Sequence, residues 1–321
     1  MLLLAPAVLG QSPITYLAQA KPLPKTHWAW HSERDWYAPA NRKLAVHVAR
    51  VMGSVNLHSA WTDGRLEGAL DIAQQAGVPL YLIASPWHRH VPAGNPDPTK
   101  DDGALLIEIA KFQADIDKIK VASFQANVAI AGIFLDSERF QSTNDARNKA
   151  LRNTLAGDRW NACIGMRLTL FDFLARNWLP GCKLAWYGAP SGRIGFEPRG
   201  PPVDCYVPSL YWPTTGTRNQ EMYYRALGAS LSRWPDRKPV PILPCVSLGA
   251  GCVLDAAGQK TWSPDLSYDP DVSRALGAWL VLQERLDDVF LYPGPSLPTG
   301  PTPDWLVHFC AYHRGFMEAA P

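Results

Sequence analysis

The chain is expected to fold as an α/β protein, a single TIM-type (β/α)8 barrel with some distortion allowed. Three observations predict this. Strand-like and helix-like segments alternate through the whole chain after residue 25, the pattern of a parallel sheet wrapped by helices. Eight strand segments can be read, and the 321 residues run without a linker or a break in composition, so one domain is preferred over two. No Gly-rich phosphate loop follows the first strand, which counts against the runner-up, an open doubly wound sheet.

The elements follow in order. Thr26–His31 is a short first strand, and a helical pattern runs through Arg42–Val48. Val55–Trp61 is the second strand, followed by a helix over Leu66–Gln75 that ends at Gly77. Val78–Ser85 is an apolar run of strand length, as expected for a strand covered on both faces. A Pro/Gly/Asp-rich loop from Pro86 to Asp102 precedes a long helix through Leu105–Ile119. Ala129–Phe140 is the fourth strand, and Ala146–Trp178 a long helical region. Lys183–Gly188, Cys205–Trp212 and Val240–Ser247 supply strands five to seven, with a helix at Gln220–Arg233. A helix over Val272–Leu286 leads to an eighth strand at Asp288–Tyr292, and Pro303–Met317 closes the chain as a helix.

Residues 1–20 read as a signal peptide or an apolar N-terminal segment, and 21–321 as the barrel. Leu2–Leu9 is apolar but too short to span a bilayer, and Ala18-Gln19-Ala20 fits the small-x-small cleavage pattern. A secreted or periplasmic location is expected on that basis, although no Lys or Arg precedes Lys21. Six cysteines (Cys163, Cys182, Cys205, Cys245, Cys252 and Cys310) form no CxxC pair, which argues against a zinc ribbon or a thioredoxin-like site. Export would permit disulfides; buried free thiols are the equal alternative.

Composition narrows the partner. Hydrophobic residues make up 47% and charged residues 19%, which excludes a disordered chain, and a net charge of +2 excludes a nucleic-acid binder's basic excess. The 13 Trp are unusual, and flat indole faces suit sugar rings. In a barrel the active site lies at the C-terminal ends of the strands. There the fourth strand carries Asp136 and Glu138, two apart and therefore on one side, about 6–7 Å from each other along the strand. Two carboxylates that close raise at least one pKa by repulsion, which keeps a carboxylic acid protonated for general-acid work. The plainer reading makes Asp136 a loop cap and pairs Glu138 with a base such as Arg139. Aromatic groups gather at the other strand ends: Trp28 and Trp30, Trp61, Trp186 and Tyr187, Tyr211 and Trp212, and Tyr292. An acidic pair ringed by Trp and Tyr suits a polysaccharide or oligosaccharide. His58 and the His88-Arg89-His90 loop carry no metal pattern, and HExxH, GxSxG and P-loop motifs are absent. Neither cofactor nor metal is expected, nor a membrane span; a monomer is.

Three of these segments resemble the hyaluronidase family of endo-β-N-acetylhexosaminidases. GIFLDSERF is similar to that family's strand-four D-x-E motif, KLAWYGAP to its strand-five segment, and YVPSLYWP to its Tyr-Pro-Ser-Ile-Tyr segment, in the same order over roughly residues 125–295. The resemblance implies a retaining mechanism in which the sugar's own N-acetyl oxygen attacks the anomeric carbon, a departure from the two-carboxylate scheme. It makes Glu138 the acid/base and has Asp136 hold the acetamide or share a proton with Glu138. Tyr187 and Tyr211 would line the reacting subsite. The family's Trp at the end of strand eight is Tyr292 here, and Cys310 lacks the family's early partner cysteine. Two alternatives stay open: a barrel glycosidase with its own nucleophile, such as Glu33 or Asp35, and a non-catalytic carbohydrate-binding barrel.

Overall fold

The computed structural model describes residues 12–29, 34–58, 64–84, 102–136, 170, 173–188, 204–208, 245–247, 251–254, 260–263, 270–281, 288–292 and 303–320. It is an α/β chain with parallel sheets. Strands β1 (Thr26–Ala29), β2 (Val55–His58), β3 (Leu80–Ala84), β4 (Ile130–Asp136), β5 (Lys183–Gly188) and β6 (Cys205–Pro208) are followed by β7 (Cys245–Ser247). A hairpin of β8 (Gly251–Leu254) and β9 (Lys260–Ser263) then precedes β10 (Asp288–Tyr292). The helices are α1 (Pro13–Gln19), α2 (Arg42–Met52), α3 (Gly64–Ala76), α4 (Asp102–Gln125), α5 (Pro270–Val281) and α6 (Pro303–Ala319).

The eight strands read from sequence are these ten less the hairpin, and all eight are parallel within their sheets. One sheet runs β2-β3-β4-β5-β6 and the other β1-β10-β7, and no ladder joins the two among the described residues. The antiparallel β8-β9 pair was not anticipated. The helical readings over 146–169 and 220–233 lie outside the described residues.

Strand alternation divides the core into two layers. Leu80, Leu82, Ile133, Leu135, Leu184 and Leu291 face a layer shared with the helices. Their alternates Tyr81, Ile83, Phe134 and Ala185 meet Trp28, Cys205 and Val207 in a second, inner cluster. Side chains also tie the sheets to each other. Ser54 Oγ at the start of β2 donates to the His27 carbonyl of β1 at 2.5 Å. Lys183 of β5 forms an ion pair with Asp288 of β10.

Helix α6 fixes β1. It crosses α5 where neither helix carries a side chain: a Cβ on Gly277 would lie 2.1 Å from the Tyr312 carbonyl oxygen, and one on Gly315 1.8 Å from that of Arg274. So close a crossing tolerates only glycine. From α6 the Tyr312 hydroxyl then meets Nε2 of the fully buried His27 at 2.7 Å. The His27 Nδ1–H donates to the Lys25 carbonyl at 2.7 Å, which leaves Nε2 to accept from Tyr312.

The segment expected to be removed after Ala20 is part of this packing. Ser12 caps α1 by accepting from the Thr15 N–H, Leu17 is fully buried, and Arg50 of α2 donates to the carbonyls of Leu17 and Ala18 at 3.0 and 2.8 Å. Cleavage after Ala20 would strip a docked helix from α6 and α2. Among the described residues no helix is long and apolar enough to cross a membrane. Cys182, Cys205 and Cys310 are buried free thiols, the plainer of the two cysteine readings; burial pushes Cys182 up to about 11 and Cys310 up to about 12.

Candidate active site at the strand ends

Parallel register brings the C-terminal residues of neighbouring strands side by side. Asp136, the last residue of β4, pairs with Tyr187 on β5, which pairs in turn with Val207 on β6. Asp136 falls in the alternate set of Gly132 and Phe134, and Tyr187 in that of Ala185; Phe134, Ala185 and Val207 all belong to the inner cluster. Two of the candidate residues are thus neighbours at one sheet end with the same parity. Trp186 has the parity of Leu184, whose side chain faces the helices. In the other sheet Tyr292 ends β10 opposite Ser247 of β7, and it alternates with Leu291, which faces the helices.

Beneath these ends the inner layers are well defined. Trp28 packs on Tyr81 with ring centroids 4.4 Å apart, and both rings pass over Gly132. A Cβ at 132 would come within 2.7 Å of either ring, so the glycine inside β4 is what lets two large aromatics cross the strand below Asp136. Trp28 was expected to line the mouth. It is instead fully buried and forms part of the floor, because β1 extends its register with β10 one residue beyond it. Its indole N–H and the amide oxygen of buried Asn56 on β2 have no hydrogen-bond partner among the described residues. At the opposite, N-terminal ends of β5 and β10 lies the Lys183–Asp288 pair, with side chains 31% and 10% exposed, a half-screened link rather than a dry one. Burial, and then the Asp288 charge, push the Tyr81 phenol up to about 12. The layer beneath the strand ends therefore holds a neutral phenol, and the charge pair sits at the far ends of the strands.

Glu138, Trp30, Trp61, Tyr211 and Trp212 lie outside the described residues, as does Glu33. Sequence reading passed over Tyr81, Asn56, Lys183 and Asp288 as site-supporting residues. One signal was available: a glycine within an otherwise bulky strand marks a close approach. Among the described residues no group of three His, Cys, Asp or Glu could hold a metal ion.

No protein-family model matches the chain, and no curated protein matches it. Solved structures do. A xylanase A from P. fluorescens subsp. cellulosa in complex with xylopentaose is 12% identical, with 94% of this chain and 98% of that one covered and a TM-score of 0.48. A broad specificity endoglucanase from Clostridium longisporum is 10% identical over 96% of this chain and 99% of its own, also at 0.48. The β-glucuronidase 3 of Bacteroides uniformis is 13% identical at a TM-score of 0.46; 84% of this chain spans 32% of that larger protein. With TM-scores below 0.5, these likenesses carry no reaction onto this chain.

Proposed function

We propose that the chain is a glycoside hydrolase of hyaluronidase-like chemistry, exported and monomeric, with its two parallel sheets closed into one (β/α)8 ring. Its substrate is a polysaccharide or oligosaccharide containing β-linked N-acetylhexosamine. The acetamide oxygen of the sugar attacks the anomeric carbon while Glu138 protonates the leaving oxygen. Glu138, now a carboxylate, takes a proton from the water that opens the cyclic intermediate, so the anomeric configuration is retained. Asp136 holds the acetamide N–H and orients its oxygen. Tyr187 and Tyr211 close the subsite, and Trp30, Trp61, Trp212 and Tyr292 offer ring faces to neighbouring sugars. Trp28 supports this surface from below, and Trp186, next to Tyr187, adds a further ring for the substrate.

The observation that carries the reading is the register pair Asp136–Tyr187 at the sheet end, with Asp136 two residues before Glu138. Groups that serve one sugar ring from adjacent strands should be energetically coupled. Asp136→Asn and Tyr187→Phe are each expected to lower kcat/KM for a chitooligosaccharide or hyaluronan oligosaccharide at least about tenfold. The double variant should lose less than the product of the two, a coupling of roughly 0.5–3 kcal/mol. Strictly multiplicative losses would separate the two residues and remove the shared subsite.

A further inference from the structure

The N-terminal helix is attached to the domain by an imidazole whose two nitrogens are both committed. Nδ1 of His313 on α6 meets the Tyr16 hydroxyl at 2.7 Å, and Nε2 meets the Lys21 carbonyl at 2.8 Å. A carbonyl only accepts, so Nε2 carries the hydrogen and Nδ1 accepts from Tyr16. A proton on Nδ1 would reverse that bond, the phenol oxygen then accepting, and would add a buried positive charge next to Arg314.

Among the described residues no carboxylate faces the ring as a counter-charge. From α6, the Arg314 guanidinium lies 4.5 Å over the Tyr16 ring, and Cys310 Sγ faces the Pro13 carbonyl at 3.8 Å. Glu318, whose charge reaches Tyr16, is engaged by Arg274 in bonds of 2.7–2.9 Å. From β1 the neighbour is His27, itself buried and neutral, with Lys25 beside it. From α2, Arg50 holds the Leu17 and Ala18 carbonyls. Burial, and then the Arg314 charge, depress the His313 pKa, against the Lys21 carbonyl bond that raises it.

We propose that residues 12–21 form a strap latched to α6 through His313 and released when that imidazole takes up a proton. Release withdraws Leu17 from the core and frees the Ala18-Gln19-Ala20 peptide, which the latched state keeps engaged through Arg50. The sequence feature that reads as a leader end is then a switchable element of the fold. A latched state that binds the proton more weakly than the released state is favoured above the ordinary histidine range and lost as pH falls through it.

Hydrogen exchange of the full chain, corrected for intrinsic rates and followed from pH about 7.5 to about 5, tests this. Amides of 13–20 should lose protection with a slope of up to about tenfold per pH unit, the limit for one proton, while those of β3 and β4 stay protected. His313→Gln can accept from Tyr16 and donate to Lys21 without titrating, and should flatten the response. Should that variant fail to fold, Tyr16→Phe removes one of the two bonds of the latch and, by weakening the latched state, should move opening to higher pH. The proposal is overturned by pH-independent protection of 13–20 in the wild type, by opening that coincides with β3 and β4, or by a His313→Gln response equal to wild type. An unmoved midpoint in Tyr16→Phe would overturn it equally.

Discussion

Replacing Glu138 by Gln is expected to lower turnover of a β-N-acetylhexosaminide by about 10²–10⁴-fold, or roughly 3–5 kcal/mol of transition-state stabilisation. Glutamine keeps the shape and a hydrogen-bond donor but cannot deliver a proton to the leaving oxygen. The ground state should therefore survive, with KM within a few-fold of wild type and an unchanged thermal unfolding profile. The loss should shrink with a leaving group that departs without protonation, such as a dinitrophenolate, because only the first step needs the acid. Equal losses on good and poor leaving groups would make Glu138 a binding residue. Wild-type turnover on both would release it from the site.

The second large effect is on stability in acid. His27 is fully buried between the Lys25 carbonyl and the Tyr312 hydroxyl, and burial lowers its pKa to about 3 from an ordinary 6.5. The folded state binds this proton less readily than the unfolded chain, so stability is complete above about pH 6.5 and declines as pH falls. One such group costs about 2 kcal/mol by pH 5 and on the order of 4 kcal/mol by pH 3. His313 is depressed for a similar reason and adds a loss of the same sign. Carboxylate titration begins mostly below this range, so the window from about pH 6.5 to 5 isolates the histidines. Denaturant unfolding across that window should show midpoints falling with acid in the wild type. His27→Gln, less stable at neutral pH, should show a visibly shallower decline. A parallel decline in the variant would assign the acid sensitivity elsewhere.

Much of the sheet was legible because its strands are buried on both faces. VPLYLIAS and KLAWYG are short apolar runs between turn signals, and the described strands fall on them, at Leu80–Ala84 and Lys183–Gly188. The stretches read as continuing β1, β2, β4 and β6, at 30–31, 59–61, 137–140 and 209–212, lie outside the described residues. The β8-β9 hairpin escaped because its four-residue strands show neither a long apolar run nor a helical period. The N-terminal segment admits two readings for a physical reason: an apolar run before small residues suits a leader, and equally a helix that buries one leucine on a neighbour.

The site was legible in part. Strand parity could be counted in the sequence, and it puts Asp136 and Tyr187 in equivalent positions once the register is known. Register itself is a long-range property, since it depends on how β4 and β5 stack on shared helices. Trp28 shows the limit of reading by composition. A tryptophan near a strand end looks like a sugar platform, yet this one is buried, and its ring fits only because a glycine more than 100 residues away, at position 132, leaves room for it. The Lys183–Asp288 pair, between strands distant in sequence, was beyond any local pattern.

The most direct measurement compares two oligosaccharides that differ only in the acetyl group: an N-acetylated chitooligosaccharide and its de-N-acetylated counterpart, each incubated with the wild-type chain and analysed for new reducing ends. The substrate-assisted account expects cleavage of the first with retained anomeric configuration and no measurable cleavage of the second. Equal cleavage of both would require a nucleophile from the protein, and binding of both without product would leave a carbohydrate-binding barrel; either result contradicts it.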